Sequence, residues 1–211
     1  MTVAYWVGRN LTRAISKVVF RVRVLGQEHI PQSGGFVLAC NHASYFDPPL
    51  VGSCTSREVY FFAKKELFDF RLFGALLRRV NAMPVKRGTI DRTALESAVD
   101  VIRKGYGLTI FPEGTRAEGD AFLPPKTGIG LIAHQARCLV VPAYLHGTNK
   151  LTRCLTGPSR LSVVFGEPVS EAWIRSQPDD RDGYWSITRE VMERIKLLKE
   201  RLVAASAPAG T

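Results

Sequence analysis

The chain has 211 residues, 45% of them hydrophobic, and a formal net charge of +10. That length and apolar content can bury one sizeable core, so one domain with appendages is expected, and no linker-like stretch divides it. Cys40, Cys54, Cys138 and Cys154 are widely spaced with no CxxC pair, which argues against a zinc site or a disulfide framework and fits a reducing compartment. The four histidines form no HExxH pattern, so no catalytic metal is expected.

The positive charge is concentrated. Residues 1–25 carry five basic side chains and no acid, and residues 57–92 carry nine basic against four acidic, while the remainder is balanced. Such a surface suits nucleic acid, an anionic membrane or a phosphorylated substrate.

In chain order, residues 2–19 place Val7, Leu11, Ala14, Ile15 and Val18 on a helical arc about 100° wide. Arg9, Arg13, Lys17 and Arg21 fall on the other side, with Tyr5 and Trp6 near the start. The basic residues interrupt any signal-peptide core, and no run of 18 apolar residues supplies a spanning helix. Two readings stand: a helix lying in a membrane surface, or an amphipathic helix packed on the domain.

Short apolar runs then alternate with helical patterns. Strands are expected at 21–26, 36–40, 59–63, 81–85, 108–111, 138–145 and 161–166, and helices at 48–55, 66–79, 91–104, 127–136 and 184–203. This alternation predicts an α/β domain, residues 21–204, with a largely parallel or mixed central sheet flanked by helices. Residues 1–20 form the amphipathic appendage and residues 205–211 a flexible tail. "TGIGLIA" at 127–133 has GxGxxA spacing but follows "LPPK" instead of a strand, so it is read as helix packing.

Two turns carry the chemistry. In "NHASYFDPPL" (41–50), His42 lies just past a buried strand and Asp47 precedes Pro48, which makes Asp47 a candidate helix N-cap. His42 and Asp47 together could hold one imidazole tautomer and accept a proton. The plainer alternative is a helix cap beside a turn histidine. Cys40, next to this turn, is read as a small residue ending a buried strand. In "TIFPEGTRAEG" (109–119), Glu113, Gly114, Thr115 and Arg116 sit on a turn at the same carboxyl edge of the sheet. A glycine there lets backbone N–H groups approach an anion and an arginine can grip phosphate bidentately; a surface turn with an ordinary ion pair is the alternative.

These motifs resemble the glycerolipid acyltransferases. "NHASYFD" is similar to the NHxxxxD motif and "FPEGTR" to the second hallmark, while "AKKELF", Gly74 and "MPVKRG" resemble the lysine and arginine region and "VPAYLHG" the final proline-containing block. The order and separations agree over residues 20–170, and the closest subgroup is that of the bacterial 1-acyl-glycerol-3-phosphate acyltransferases. The resemblance implies transfer of an acyl group from acyl-CoA or acyl-carrier protein to the sn-2 hydroxyl of 1-acyl-glycerol-3-phosphate, giving phosphatidic acid without a cofactor or metal. His42 would be the general base and Asp47 its orienting carboxylate. Arg87 and Arg116 would clamp the acceptor phosphate with Lys64 as a third cation. Glu113, Gly114 and Thr115 would shape the glycerol pocket, and backbone donors of these turns would serve a developing oxyanion.

The implied setting is peripheral or monotopic, on the cytoplasmic face of the inner membrane, with the anionic lipid surface as a partner. Family members often carry a longer hydrophobic N-terminal anchor than the one short basic helix found here. Competing readings are acylation of another lysophospholipid or of a lyso-aminolipid, and, outside enzymes, a basic membrane- or nucleic-acid-binding module. The basic segments match no nucleic-acid recognition motif, so no nucleic-acid partner is expected.

Overall fold

The computed structural model describes residues 2–86, 91–156 and 160–205. Among them, seven strands form one sheet: β1 (Arg23–Leu25), β2 (Phe36–Cys40), β3 (Val59–Lys64), β4 (Ala82–Val85), β5 (Gly107–Ile110), β6 (Val140–His146) and β7 (Ser162–Phe165). The order is β1-β7-β6-β2-β5-β3-β4, and every neighbouring pair is parallel except β6 with β7. The mixed sheet expected from the alternation is therefore present. All seven expected strands appear, with ends shifted by no more than a few residues.

Strand β2 sits centrally and is buried along its whole length. Its side chains alternate between the two faces, as a strand's period of two demands. Val37 and Ala39 join the core that holds Ala98, Val99 and Ile102 of α4 (Arg92–Arg103), Ile129 and Ile132 of α5 (Gly128–Ala136), and Ile187, Val191 and Ile195 of α8 (Arg181–Ala204). Phe36, Leu38 and Cys40 join the opposite core, with Leu50, Val51 and Cys54 of α2 (Asp47–Cys54). A helical layer on each face explains why this strand reads as an unbroken apolar run. Burial pushes the Cys40 thiol well above its ordinary range, with the Asp47 carboxylate adding to the effect, so Cys40 behaves as the strand-end packing residue that its sequence position suggested.

The GxGxxA stretch is also packing. A Cβ on Gly130 would lie 2.0 Å from the Tyr184 carbonyl oxygen, so only glycine lets α5 and α8 approach this closely.

The expected helix 66–79 is not continuous. Residues Lys65–Phe68 form a 3₁₀ turn and α3 begins at Arg71 and ends at Arg79. Gly74 permits the break: the turn folds back until the Phe68 carbonyl oxygen is 2.5 Å from where a Gly74 Cβ would stand. Two short helices escaped the sequence reading, α6 (Leu151–Thr156) and α7 (Glu171–Ser176). Neither is long enough to show a helical period.

Helix α1 (Val3–Val18) packs on the domain through its polar face. The Tyr5 hydroxyl accepts from the Val59 N–H at 3.0 Å, Arg9 donates to the Thr55 carbonyl at 2.7 Å, and the Thr2 hydroxyl donates to the Arg79 carbonyl at 2.6 Å. The apolar arc points outward instead, with Leu11 59% and Val18 78% exposed. The helix is thus packed on the domain, as one of the two sequence readings had it, but through its polar side and not its apolar arc. Neighbouring α3 likewise exposes Leu72, Phe73 and Leu76, and Phe70 just before it. No helix of the described residues is long and apolar enough to cross a membrane.

Candidate active site

Register brings the two motif turns together. Ala39 of β2 pairs with Ile110 of β5 in parallel, and on the other side Cys40 pairs with Ala143 of β6. Strands β2 and β5 therefore end side by side while β6 runs on to His146, and residues 41–47 meet residues 111–117 at the carboxyl edge.

Asn41 locks this edge. Its side-chain amide donates to the Leu145 carbonyl at 3.0 Å and its side-chain oxygen accepts from the Leu145 N–H at 2.7 Å, both buried. The amide thus replaces a backbone pair and continues the ladder to β6 after β2 has turned away. The sequence reading did not single out Asn41; its place inside the NHxxxxD pattern was the available signal.

His42 follows, 8% exposed. Its Nδ1 lies 2.8 Å from Asp47 Oδ2, and the same oxygen accepts the Ala43 and Ser44 N–H groups at 2.7 Å each. Asp47 was expected to cap α2, but the helix begins at Asp47 itself with Phe46 as the N-cap. The carboxylate instead turns back and closes the loop that precedes the helix. Because an ionised carboxylate can only accept, Nδ1 carries the hydrogen of this bond, and in the neutral imidazole it is Nε2 that holds the lone pair. Asp47 is fully buried, and its Oδ1 has no hydrogen-bond partner among the described residues.

The second turn holds His42 from above and below. Glu113 Oε1 accepts the His42 N–H at 3.0 Å, the His42 carbonyl accepts the Ala117 N–H at 2.8 Å, and the Phe111 ring stacks on the imidazole with centroids 4.1 Å apart. Glu113 Oε2 accepts the Leu123 N–H at 2.7 Å. Glu113 therefore holds backbone on both sides, with both oxygens engaged and only 1% of the residue exposed. Burial raises its carboxyl above the ordinary range, opposed by the hydrogen bonds from Leu123 and His42. A small cleft of about 10 Å³ lies against His42 and is walled by Asn41, Glu113, Phe122 and Tyr144.

Gly114 has φ +69°, the left-handed region, and its N–H donates to the Phe111 carbonyl at 2.9 Å, completing the tight turn. Thr115 and Arg116 are exposed at the turn's end. The Arg116 guanidinium carbon stands 3.5 Å from the centroid of the Tyr45 ring, a contact the sequence reading missed because nothing local links the two residues. Lys64 is at the carboxyl end of β3, where its ammonium pairs with Glu66 at 3.7 Å. Arg87 and residues 206–211 of the expected tail lie outside the described residues.

An imidazole oriented through Nδ1 by a buried carboxylate, with an exposed guanidinium at the same sheet edge, suits proton removal from a hydroxyl on an anionic substrate. Residues 21–146 match the family model described as Acyltransferase. The 1-acyl-sn-glycerol-3-phosphate acyltransferase of Bacillus subtilis is 28% identical over 194 residues, covering 92% of this chain and 96% of that protein. The lyso-ornithine lipid O-acyltransferase of Rhodobacter capsulatus is 29% identical over 178 residues, covering 81% of this chain but only 60% of that protein. The crystal structure of the 1-acyl-sn-glycerophosphate (LPA) acyltransferase PlsC from Thermotoga maritima superposes with a TM-score of 0.73 at 26% identity, covering 93% of this chain and 80% of that one.

Proposed function

The chain belongs to the acyltransferase family, and from that membership we propose that it acylates the sn-2 hydroxyl of 1-acyl-glycerol-3-phosphate to give phosphatidic acid. The observation that carries the reading is the buried His42–Asp47 pair, whose hydrogen bond engages Nδ1 and so makes Nε2 the nitrogen that a neutral imidazole offers as base. The acceptor's hydroxyl gives its proton to His42 Nε2 as its oxygen attacks the thioester carbonyl. Asp47 stabilises the resulting imidazolium. When the tetrahedral intermediate collapses, the carbon–sulfur bond breaks and the departing thiolate takes the proton from Nε2. No acyl-enzyme forms, and the activated thioester needs neither ATP nor a resident cofactor.

The N–H groups of Ala43, Ser44, Gly114 and Ala117 are already committed to protein acceptors. Those of Thr115 and Arg116 have no partner among the described residues and are the candidates for the oxyanion. Arg116, with Arg87 and Lys64, supplies the charge for the acceptor's phosphate. Acyl-CoA and acyl-carrier protein both satisfy the chemistry as donors.

The exposed apolar arc of α1, flanked by Arg13 and Lys17 and adjoined by α3, supports docking on one leaflet of an anionic membrane without crossing it. Its acceptor keeps an acyl tail in the bilayer, so the catalytic edge must reach the headgroup level. We place that leaflet on the cytoplasmic side, where thioester donors are made.

Purified protein incubated with both donors and a panel of acceptors, with products read by mass, tests the proposal. Phosphatidic acid from the phosphorylated acceptor is the expected product. Acylation of a lyso-ornithine lipid alone would instead favour the activity named for the Rhodobacter capsulatus relative.

A further inference from the structure

The two motif turns hold each other through a reciprocal pair of ring contacts. Phe111 of the second turn stacks on His42 of the first, and Tyr45 of the first carries Arg116 of the second. Tyr45 is 79% exposed, so core packing does not account for an aromatic residue there. No carboxylate of the described residues lies in ion-pair range of Arg116. Its position is set by the ring face.

From this geometry we infer that Tyr45 is a positioning residue that presets Arg116 for a phosphate monoester and so contributes to acceptor selectivity. The reasoning is stereochemical. A guanidinium stacked on a ring uses its flat face, which leaves the N–H groups along its edge free to donate two parallel bonds to phosphate. A carboxylate partner would occupy that same edge. Stacking therefore orders the cation while keeping its donors available. Because Tyr45 lies between His42 and Asp47, one six-residue span sets both the base and the cation, linking the site of proton removal to the site of phosphate binding. The inference rests on the assignment of Arg116 to the phosphate.

The test uses steady-state kinetics of the full chain on a short-chain, monomerically soluble 1-acyl-glycerol-3-phosphate and on the same acceptor without phosphate, so membrane docking does not contribute. Tyr45→Ala should raise KM for the phosphorylated acceptor about 3- to 10-fold. It should leave kcat and use of the phosphate-free acceptor near wild type. Tyr45→Phe retains the ring face and should behave as wild type. In an Arg116→Ala background, Tyr45→Ala should add nothing. Thermal melting of each variant checks that the exposed substitution leaves the fold intact. Equal impairment by Phe and Ala, an undiminished effect without Arg116, or equal loss on both acceptors would overturn the inference. If Arg116→Ala alone leaves the preference for phosphate intact, the phosphate assignment fails, and this inference with it.

Discussion

Asp47→Asn separates charge from orientation at the base. In the wild type, Oδ2 accepts three hydrogen bonds, from His42 Nδ1 and from the Ala43 and Ser44 N–H groups, while Oδ1 is buried without a partner. An asparagine can face those three donors with its oxygen or with its NH₂. The NH₂ would oppose two fixed backbone donors, so the oxygen takes that place and the NH₂ enters the unpartnered position. His42 consequently keeps its tautomer. What is lost is charge: hydrogen bonds to ionised groups contribute about 1.5–3 kcal/mol and neutral ones about 0.5–1.5. The difference of about 1–2 kcal/mol corresponds to about 5- to 30-fold in turnover. A ring forced into the wrong tautomer loses on the order of 10⁴-fold in Ser-His-Asp systems.

The assay is initial-rate thiol release from the thioester donor at saturating acceptor, beside His42→Ala. Burying the unpaired NH₂ should cost about 1–3 kcal/mol of stability, visible as a fall in Tm of about 2–4 °C for each kcal/mol. A loss in Asp47→Asn equal to that of His42→Ala, with folded protein, would refute the orientation argument.

His42→Ala should lower acyl transfer by ~10²- to 10⁴-fold or more while circular dichroism is retained; wild-type turnover in folded protein would exclude the general-base role. Arg116→Ala should weaken use of the phosphorylated acceptor by about 10- to 100-fold, chiefly in KM, and lysine should restore only part of it. Val7→Asp with Leu11→Asp, on the exposed arc of α1, should abolish binding to anionic vesicles with little change in Tm, since surface substitutions usually stay within about ±0.5 kcal/mol. A large fall in Tm would mean that the arc is a packing face. Gly130→Ala should cost roughly 1–3 kcal/mol by overpacking against the Tyr184 carbonyl, and a calorimetric scan showing unchanged stability would contradict the close approach of α5 and α8.

The local pattern of residues decided the strands, most of the helices and the two turns that bear the chemistry. "FVLAC" matches β2 (Phe36–Cys40) because an apolar run bounded by glycines and a polar turn has few other places in an α/β domain. His42, Asp47, Glu113 and Arg116 were legible because turn residues after a strand must stand at its edge. Tertiary structure decided what each of them touches. The Asp47 carboxylate turns back on residues 42–44 instead of capping α2, and both Glu113 oxygens hold backbone. Asn41 bridges to Leu145 and Tyr45 carries Arg116. The face on which α1 packs belongs to this second group: its period revealed an apolar arc, but only Val59, Thr55 and Arg79 as partners turned the polar side inward. Periodicity records how side chains are distributed around one element. Their partners are set by parallel strand register between segments far apart in sequence, and a local pattern carries no information about that register.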